Sequence, residues 1–388
     1  MKISKITPYF FNPRSSRNLL LIRVEAEDGT YGWGECYTSP RKERVVEMFI
    51  REMTPYVIGR SVFDIRHTWK IMFDDFAVRR GSVDLSCAWS GIEIATWDII
   101  GKIAGLPVYK MLGGANREKI RLYANGWADQ ARDLDELCDA ARKTVAQGWS
   151  ALKWDPFSGP WRTFIAKREE DAAVENVRVL REAVGPGVEL LIDAHRRVAP
   201  QQAIFFARRV ESYGIMQLED PSLADNMDLV AQTREASSIP IVTGETLYSK
   251  EQFIQVFERR AADVINPDVT VAGGILACME IAAMAEPYGI AFSPHNNNTT
   301  VVGLAATLHL AMASPNFLIG EYFVSLAPGC DPIGTQRPRV ENGWGHVPDT
   351  PGLGIDVDID EVLAWPYQDL GARNLRHPED EFPKEGCV

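Results

Sequence analysis

The sequence predicts an α/β barrel preceded by a smaller α+β domain, on three observations. From Arg121 onward, apolar strand signals alternate with helical stretches until eight strands have passed, which fits a closed parallel barrel better than an open sheet. Six polar residues, Asp193, Glu219, Glu245, Asp268, His295 and Glu321, follow one another at intervals of 26, 26, 23, 27 and 26 residues, about one strand-plus-helix unit each. The first 120 residues show a different order, β-β-β then α-α-α, that does not share this repeat.

The elements follow in chain order. ITPYFF alternates like a strand and breaks at Asn12-Pro13-Arg14-Ser15-Ser16. LLLIRVEAEDG resumes as a strand and turns at Asp28-Gly29, a hairpin signal. TYGWGEC is the third strand, with the small glycines of a packed sheet. Residues 43–60 and 64–78 read as amphipathic helices. SCAWSGIEIATWDIIGKIAG is a long helix with apolar Ile92, Ile94, Ala95, Ile99 and Ile100; Gly105 and Pro107 stop it. Barrel strands are expected at RLYAN, ALKW, VELLID, GIMQLE, IPIVTG, DVINP, GIAFS and NFLIG. LDELCDAARKTVAQG and GGILACMEIAAMAEPYG are among the helices between them. From Ala327 the chain turns Pro/Gly-rich and irregular. The expected domains are therefore 1–120, 121–326, and a segment 327–388 that packs back on the first.

Composition is that of a globular protein, with 46% apolar and 24% charged residues. A net charge of −12 argues against nucleic acid and anionic membrane as partners, but not against a small anionic substrate in one locally positive cleft. No run of 18 apolar residues occurs and MKISKITPYF lacks a signal-peptide core, so a cytoplasmic location is expected. None of Cys36, Cys87, Cys138, Cys278, Cys330 and Cys387 forms a CxxC pair, which suggests reduced thiols.

Each of the six repeating residues ends a short apolar run: LLID, MQLE, IVTGE, VINPD, AFSPH and FLIGE. That places them at the C-terminal ends of barrel strands, the face that carries barrel active sites. Five carboxylates and an imidazole on one rim repel unless a cation sits among them, so the pattern argues for a metal-dependent enzyme.

These residues, together with ATWDIIGKIAGLPVYKMLGG, resemble the enolase superfamily, mandelate racemase subgroup, over essentially the whole chain. The resemblance implies a modified TIM (β/α)7β barrel with an N-terminal α+β capping domain. It implies one Mg²⁺ per subunit held by Asp193, Glu219 and Glu245, an Asp268–His295 dyad, and Glu321 on the eighth strand. It also suggests a homo-oligomer, often an octamer. The second-strand motif departs from the family's Lys-x-Lys: here it is Lys153-Trp154-Asp155, so the second lysine is lost. Asp193-Ala194-His195, YANGW and LKWDPF resemble acid-sugar dehydratases of the galactonate and gluconate type.

The resemblance implies Mg²⁺-assisted removal of the proton α to a carboxylate, through an ene-diolate, then loss of water to a 2-keto-3-deoxy acid. His295 is the expected base, oriented by Asp268, and His195 the expected acid. Lys153 is expected to neutralise a substrate carboxylate oxygen. Asp155 is expected either to accept a substrate hydroxyl or to support another site residue. Glu321 is expected near the substrate carboxylate, with protonation as one option among so many carboxylates. Arg14, with Ser15, Ser16 and Arg17, lies in the early loop that covers the site in this family. Trp154, like Trp127 and Trp161, is a candidate pocket wall. His67, His309, His346 and His377 fall outside the pattern and read as structural. A racemase, epimerase or cycloisomerase of a carboxylate-bearing sugar acid or lactone is the alternative on the same scaffold, and a non-catalytic binding barrel the third reading.

Overall fold

Strands β1 (Ile3–Phe11), β2 (Leu19–Ala26) and β3 (Tyr31–Cys36) form an antiparallel sheet in that order. The computed structural model describes residues 1–75, 81–157 and 164–371. The β2–β3 turn needs a left-handed residue, and Gly29 supplies it at φ 87°. Helix α3 (Val83–Ala104) lies on this sheet, after α1 (Glu43–Val57) and α2 (Ile65–Asp74). Helix and sheet touch backbone to backbone: a Cβ on Gly34 would sit 1.8 Å from the Gly91 carbonyl oxygen. The glycines of TYGWGEC are thus packing requirements. The helix expected over 43–60 stops at Val57 because Ile58 is extended and Gly59 is left-handed. The helix expected over 64–78 is described only to Asp74, and residues 76–78 lie outside the described residues. Short helix α4 (Val108–Met111) leads to the barrel.

The barrel strands are β4 (Ile120–Asn125), β5 (Ala151–Trp154), β6 (Glu189–Asp193), β7 (Ile215–Glu219), β8 (Ile241–Thr243), β9 (Val264–Ile265), β10 (Ala291–Phe292) and β11 (Gly320–Phe323). Between them run α5 (Leu134–Ala146), α6 (Lys167–Val184), α7 (Pro200–Val210), α8 (Met227–Ala236), α9 (Lys250–Glu258), α10 (Gly274–Ala285) and α11 (Val301–Ala313). Among the described residues, eight parallel strands and seven intervening helices make this the modified (β/α)7β barrel. Helix starts follow local chemistry: Asp133, Asn226, Ser249 and Thr300 each accept a backbone N–H of the helix they precede.

The eighth strand differs from expectation. NFLIG was expected as the strand, but it is a transition. Phe292 of β10 donates to the Asn316 carbonyl and accepts from Leu318 N, and only Gly320–Phe323 pairs with β4. Closing the barrel requires one segment to serve both neighbours in succession.

Residues two apart on a strand share a face. Tyr123, Ala151, Leu191 and Ile319 form a small apolar cluster of their own. The next position along three of the same strands carries charge: Lys153, Asp193 and Glu321. The packed layer therefore sets the height of the polar one.

The capping domain is joined to the barrel by two buried carboxylates. Glu35 of β3 accepts Thr300 N, Thr300 Oγ1 and Gly303 N at the start of α11. Glu93 of α3 accepts Ile275 N and Leu276 N at the start of α10. Each satisfies orphan donors of a helix N-terminus.

The tail divides. After α12 (Ala327–Cys330) and β12 (Gly334–Gln336), the hairpin β13 (Arg339–Glu341) and β14 (Trp344–His346) pairs antiparallel with barrel strand β4. Further on, β15 (Asp356–Val357) precedes α13 (Ile359–Ala364). Asp356 accepts Tyr31 and Trp33 of the capping sheet, and Gln368 N donates to Asn18. The five cysteines among the described residues are free and buried; Cys387 lies outside them. Among the described residues no helix is long and apolar enough to cross a membrane.

Candidate active site

Asp193 ends β6, Glu219 ends β7, and Glu245 lies two residues beyond β8. One carboxylate oxygen of each lies within 4.8 Å of the others. Lys153, from β5, sits beneath with 1% of its surface exposed. Its Nζ is 2.9 Å from Glu219 Oε2, 2.8 Å from Glu321 Oε1 and 3.6 Å from Asp193 Oδ2. Asn266 donates to the other Glu219 oxygen at 2.8 Å. Three hard oxygen donors at successive strand ends are a set that suits Mg²⁺, so these residues fit the ion. Burial pushes Glu219 up to about 8, against Lys153 and with the help of Asp193 and Glu245. A cation among these oxygens removes that cost.

Glu321 faces Lys153 at 2.8 Å and His295 at 3.7 Å. Burial raises its pKa, but Lys153 and His295 outweigh this and hold it near 2. Its oxygens accept Asn125 Nδ2 and Asn296 N, both at 2.8 Å.

Two histidines flank the carboxylates. His295 Nδ1 is 2.7 Å from Asp268 Oδ2, and its Nε2 is 3.0 Å from Glu245 Oε2. Asp268 is fully buried, and its other oxygen accepts Thr270 N and Oγ1 at 2.7 and 2.6 Å. On the opposite flank of the triad, His195 Nδ1 is 2.7 Å from Asp155 Oδ2 and its Nε2 is 3.3 Å from Asp193 Oδ2. Burial disfavours the charged ring of His195, but Asp193 and Asp155 overcome it and bring the ring to about 9. Burial acts the same way on His295, where Glu321 and Glu245 prevail and hold the ring well above its ordinary value. Both imidazoles are thus tied electrostatically to the carboxylate cluster.

The left-handed backbone of His195 and Arg196, at φ 48° and 61°, is uncommon for such residues and marks a constrained loop. Arg196 and Arg197 carry no assigned role in the sequence pattern. The structure places Arg196 between Asp220 and Glu245, and Arg197 against Asp155 and the Phe157 carbonyl. The available signal was position: two arginines directly after a strand-end histidine, and Asp220 directly after Glu219.

A cavity of about 1060 Å³ opens above these groups. Its walls include Lys153, Asp155, His195, Glu245 and His295 from the barrel, and Ser15, Ser16, Arg17 and Arg41 from the capping domain. Arg14 is not a wall. Its exposed side chain stacks on Trp365, 3.4 Å from the ring centroid, while Ser15, Ser16 and Arg17 line the cavity. Trp154 is a core residue, 4% exposed, whose indole N–H is donated to Asn176 at 2.8 Å. It borders the cavity without offering a polar group to it. Trp127 donates to the Lys153 carbonyl and holds β5 in place. Asp155 lines the cavity with both oxygens engaged, since Oδ1 accepts Phe157 N. Trp161 and His377 lie outside the described residues.

The comparisons with known proteins agree with this geometry. Residues 8–113 match the mandelate racemase/muconate lactonizing enzyme N-terminal domain, and residues 136–362 the enolase C-terminal domain-like family. A D-galactonate dehydratase of Ralstonia pickettii (strain 12J) is 33% identical over 364 residues, 92% of each chain. Another, of Cronobacter sakazakii (strain ATCC BAA-894), is 32% identical over 387 residues, 97% of each. The solved mandelate racemase/muconate lactonizing enzyme from Jannaschia sp. CCS1 superposes with TM-score 0.89 at 30% identity, over 96% of this chain and 99% of that one. The chain therefore belongs to the enolase superfamily, in its mandelate racemase/muconate lactonizing enzyme family.

Proposed function

We propose that the protein is a Mg²⁺-dependent dehydratase of a sugar acid, an aldonate or aldarate, that removes the proton α to the carboxylate and expels the neighbouring hydroxyl as water. The observation that carries this reading is the pair of carboxylate-bound imidazoles on the two flanks of one acidic triad. The relatives named D-galactonate dehydratase support the same class of substrate and reaction.

Asp193, Glu219 and Glu245 are the residues that would hold the metal, which when bound supplies positive charge beside the substrate carboxylate and makes the α-proton easier to remove. His295 accepts that proton at Nε2, while Asp268 holds Nδ1 and aims the ring. Acceptance needs a neutral ring, so the charge of Glu245 and Glu321 must be compensated before the proton moves. The C–H electron pair first moves into the substrate carboxylate as an ene-diolate, and in a second step returns to form the C2–C3 double bond as the C3–O bond breaks. His195 gives its Nε2 proton to the departing hydroxyl. The resulting enol tautomerises to the 2-keto-3-deoxy acid. Lys153 sets positive charge at the floor of the site, toward the substrate carboxylate, and Glu321 anchors it.

Incubation with Mg²⁺ and a panel of aldonates and aldarates, followed by proton NMR, tests the proposal. New C3 methylene signals with loss of the C2 proton are expected for at least one substrate. A second reading uses the same two imidazoles as opposed bases for 1,1-proton transfer, as in a racemase or epimerase. Deuterium uptake at C2 in D₂O with no methylene signal would favour it.

A further inference from the structure

We infer that Asp155 and Arg197 are positioning residues for the water-elimination step alone: they form a second carboxylate–histidine relay that aims His195 and shares no residue with the relay that aims His295. This rests on the dehydratase reading above.

Register builds the relay. Strands β5 and β6 pair Trp154 with Ile192, so Asp155 arrives level with Asp193 at the rim. His195 follows two residues later, where the Asp193 carboxylate accepts the His195 N–H at 2.9 Å and bends the chain into its left-handed turn. That turn brings Nδ1 to 2.7 Å from Asp155 Oδ2. The same oxygen is 2.8 Å from Arg197 Nη2. Arg197 is 9% exposed and also reaches the Phe157 carbonyl, so the start of the loop after β5 is fixed to the loop after β6. A carboxylate on Nδ1 sets which nitrogen faces the substrate, leaving Nε2 to act there. A left-handed histidine is strained, and such strain persists only where surrounding contacts hold it.

The two relays differ in their supports. Asp268 is held by the neutral donors of Thr270, on the loops after β9 and β10. Asp155 is held by a guanidinium, on the loops after β5 and β6. Separate strands carry them, so one can be damaged while the other stands. Reprotonation at C2 from solvent-exchanged His295 needs only the Asp268 relay. Expulsion of hydroxide as water needs a proton from His195 as well.

The test is the ratio of C2 deuterium uptake to water loss in D₂O with Mg²⁺, by NMR, for the wild type, Asp155→Ala and Asp155→Asn. Water loss is expected to fall about 10–100-fold in Asp155→Ala while C2 exchange continues. Asp155→Asn, which keeps one acceptor for Nδ1, is expected to lie between. Continued exchange also shows that the variant is folded and the other relay intact. Equal loss of exchange and elimination in both variants overturns the inference, as does unchanged elimination in Asp155→Ala. A wild type that exchanges C2 but eliminates no water from any substrate overturns the dehydratase reading instead, whatever the variants do.

Discussion

Replacing Glu93 by Ala should loosen the capping domain from the barrel and lower thermal stability. Glu93 is 1% exposed, and its oxygens accept Ile275 N at 2.7 Å, Leu276 N at 2.9 Å and Trp97 Nε1 at 2.7 Å. Truncation leaves two helix N–H groups buried without acceptors, at about 1–3 kcal/mol each. Relief of burying a carboxyl group offsets part of this. A net loss of about 3 kcal/mol follows. With about 2.1 cal/mol/K of unfolding entropy per residue over 388 residues, that is a fall in Tm of about 4 °C. Burial pushes Glu93 up to about 8 from the ordinary 4.5, so the folded protein binds the extra proton between those values. The stabilising contribution is full below about 4.5 and is lost as pH rises through 8, so the gap between wild type and variant should narrow from pH 5.5 to 8. Gly274→Ala attacks the same contact from the other side, since its Cβ would lie 2.0 Å from Glu93 Oε2 at φ +89°. Scanning calorimetry of both variants and their combination reads the effect. The combined loss should be smaller than the two single losses added. A shift under about 1 °C in Glu93→Ala would refute the reasoning.

Two further outcomes follow from the same contacts. Mg²⁺ at a hundredfold excess over its Kd should add about 2.7 kcal/mol of stability, and Glu219→Gln should abolish most of that shift in a melting assay; an equal shift in both proteins would place the ion elsewhere. His309 is buried with Nδ1 accepting Tyr109 N and Nε2 donating to the Leu353 carbonyl, an arrangement only the neutral ring satisfies. Burial lowers it to about 4 from 6.5, so its contribution is full above 6.5 and is lost as pH falls toward 4, about 3 kcal/mol in all. Urea midpoints between pH 4.5 and 7 should therefore fall less steeply in His309→Gln than in the wild type.

Much of the architecture was legible because a barrel strand must bury one face and end at the rim. Apolar runs closed by Asp193, Glu219 and Glu321 place those residues without any knowledge of contacts. The Asp268–His295 contact was foreseen by resemblance, and the structure brings the two side chains within 2.7 Å. The partner of His195 was not foreseen. Asp155 lies 40 residues away, and only the β5–β6 register brings the two together. Arg196 and Arg197 give no sign of a site role in sequence, which cannot show that a left-handed turn folds them inward. Arg14 is held on Trp365, far along the chain and away from the cavity wall, a contact that no local pattern reports. The carboxyl state of Glu321 depended on how close Lys153 comes, which no spacing rule reports. The eighth strand lies three to four residues later than NFLIG because closure demands two pairings from one segment.

The most direct test of the account is C2-proton exchange in D₂O for His295→Asn and His195→Asn beside the wild type, on a substrate the wild type dehydrates. If His295 is the base and His195 the acid, His295→Asn loses exchange and water loss together, while His195→Asn keeps exchange and loses elimination. Exchange that persists in His295→Asn would contradict the account, because some other group would then be removing the proton.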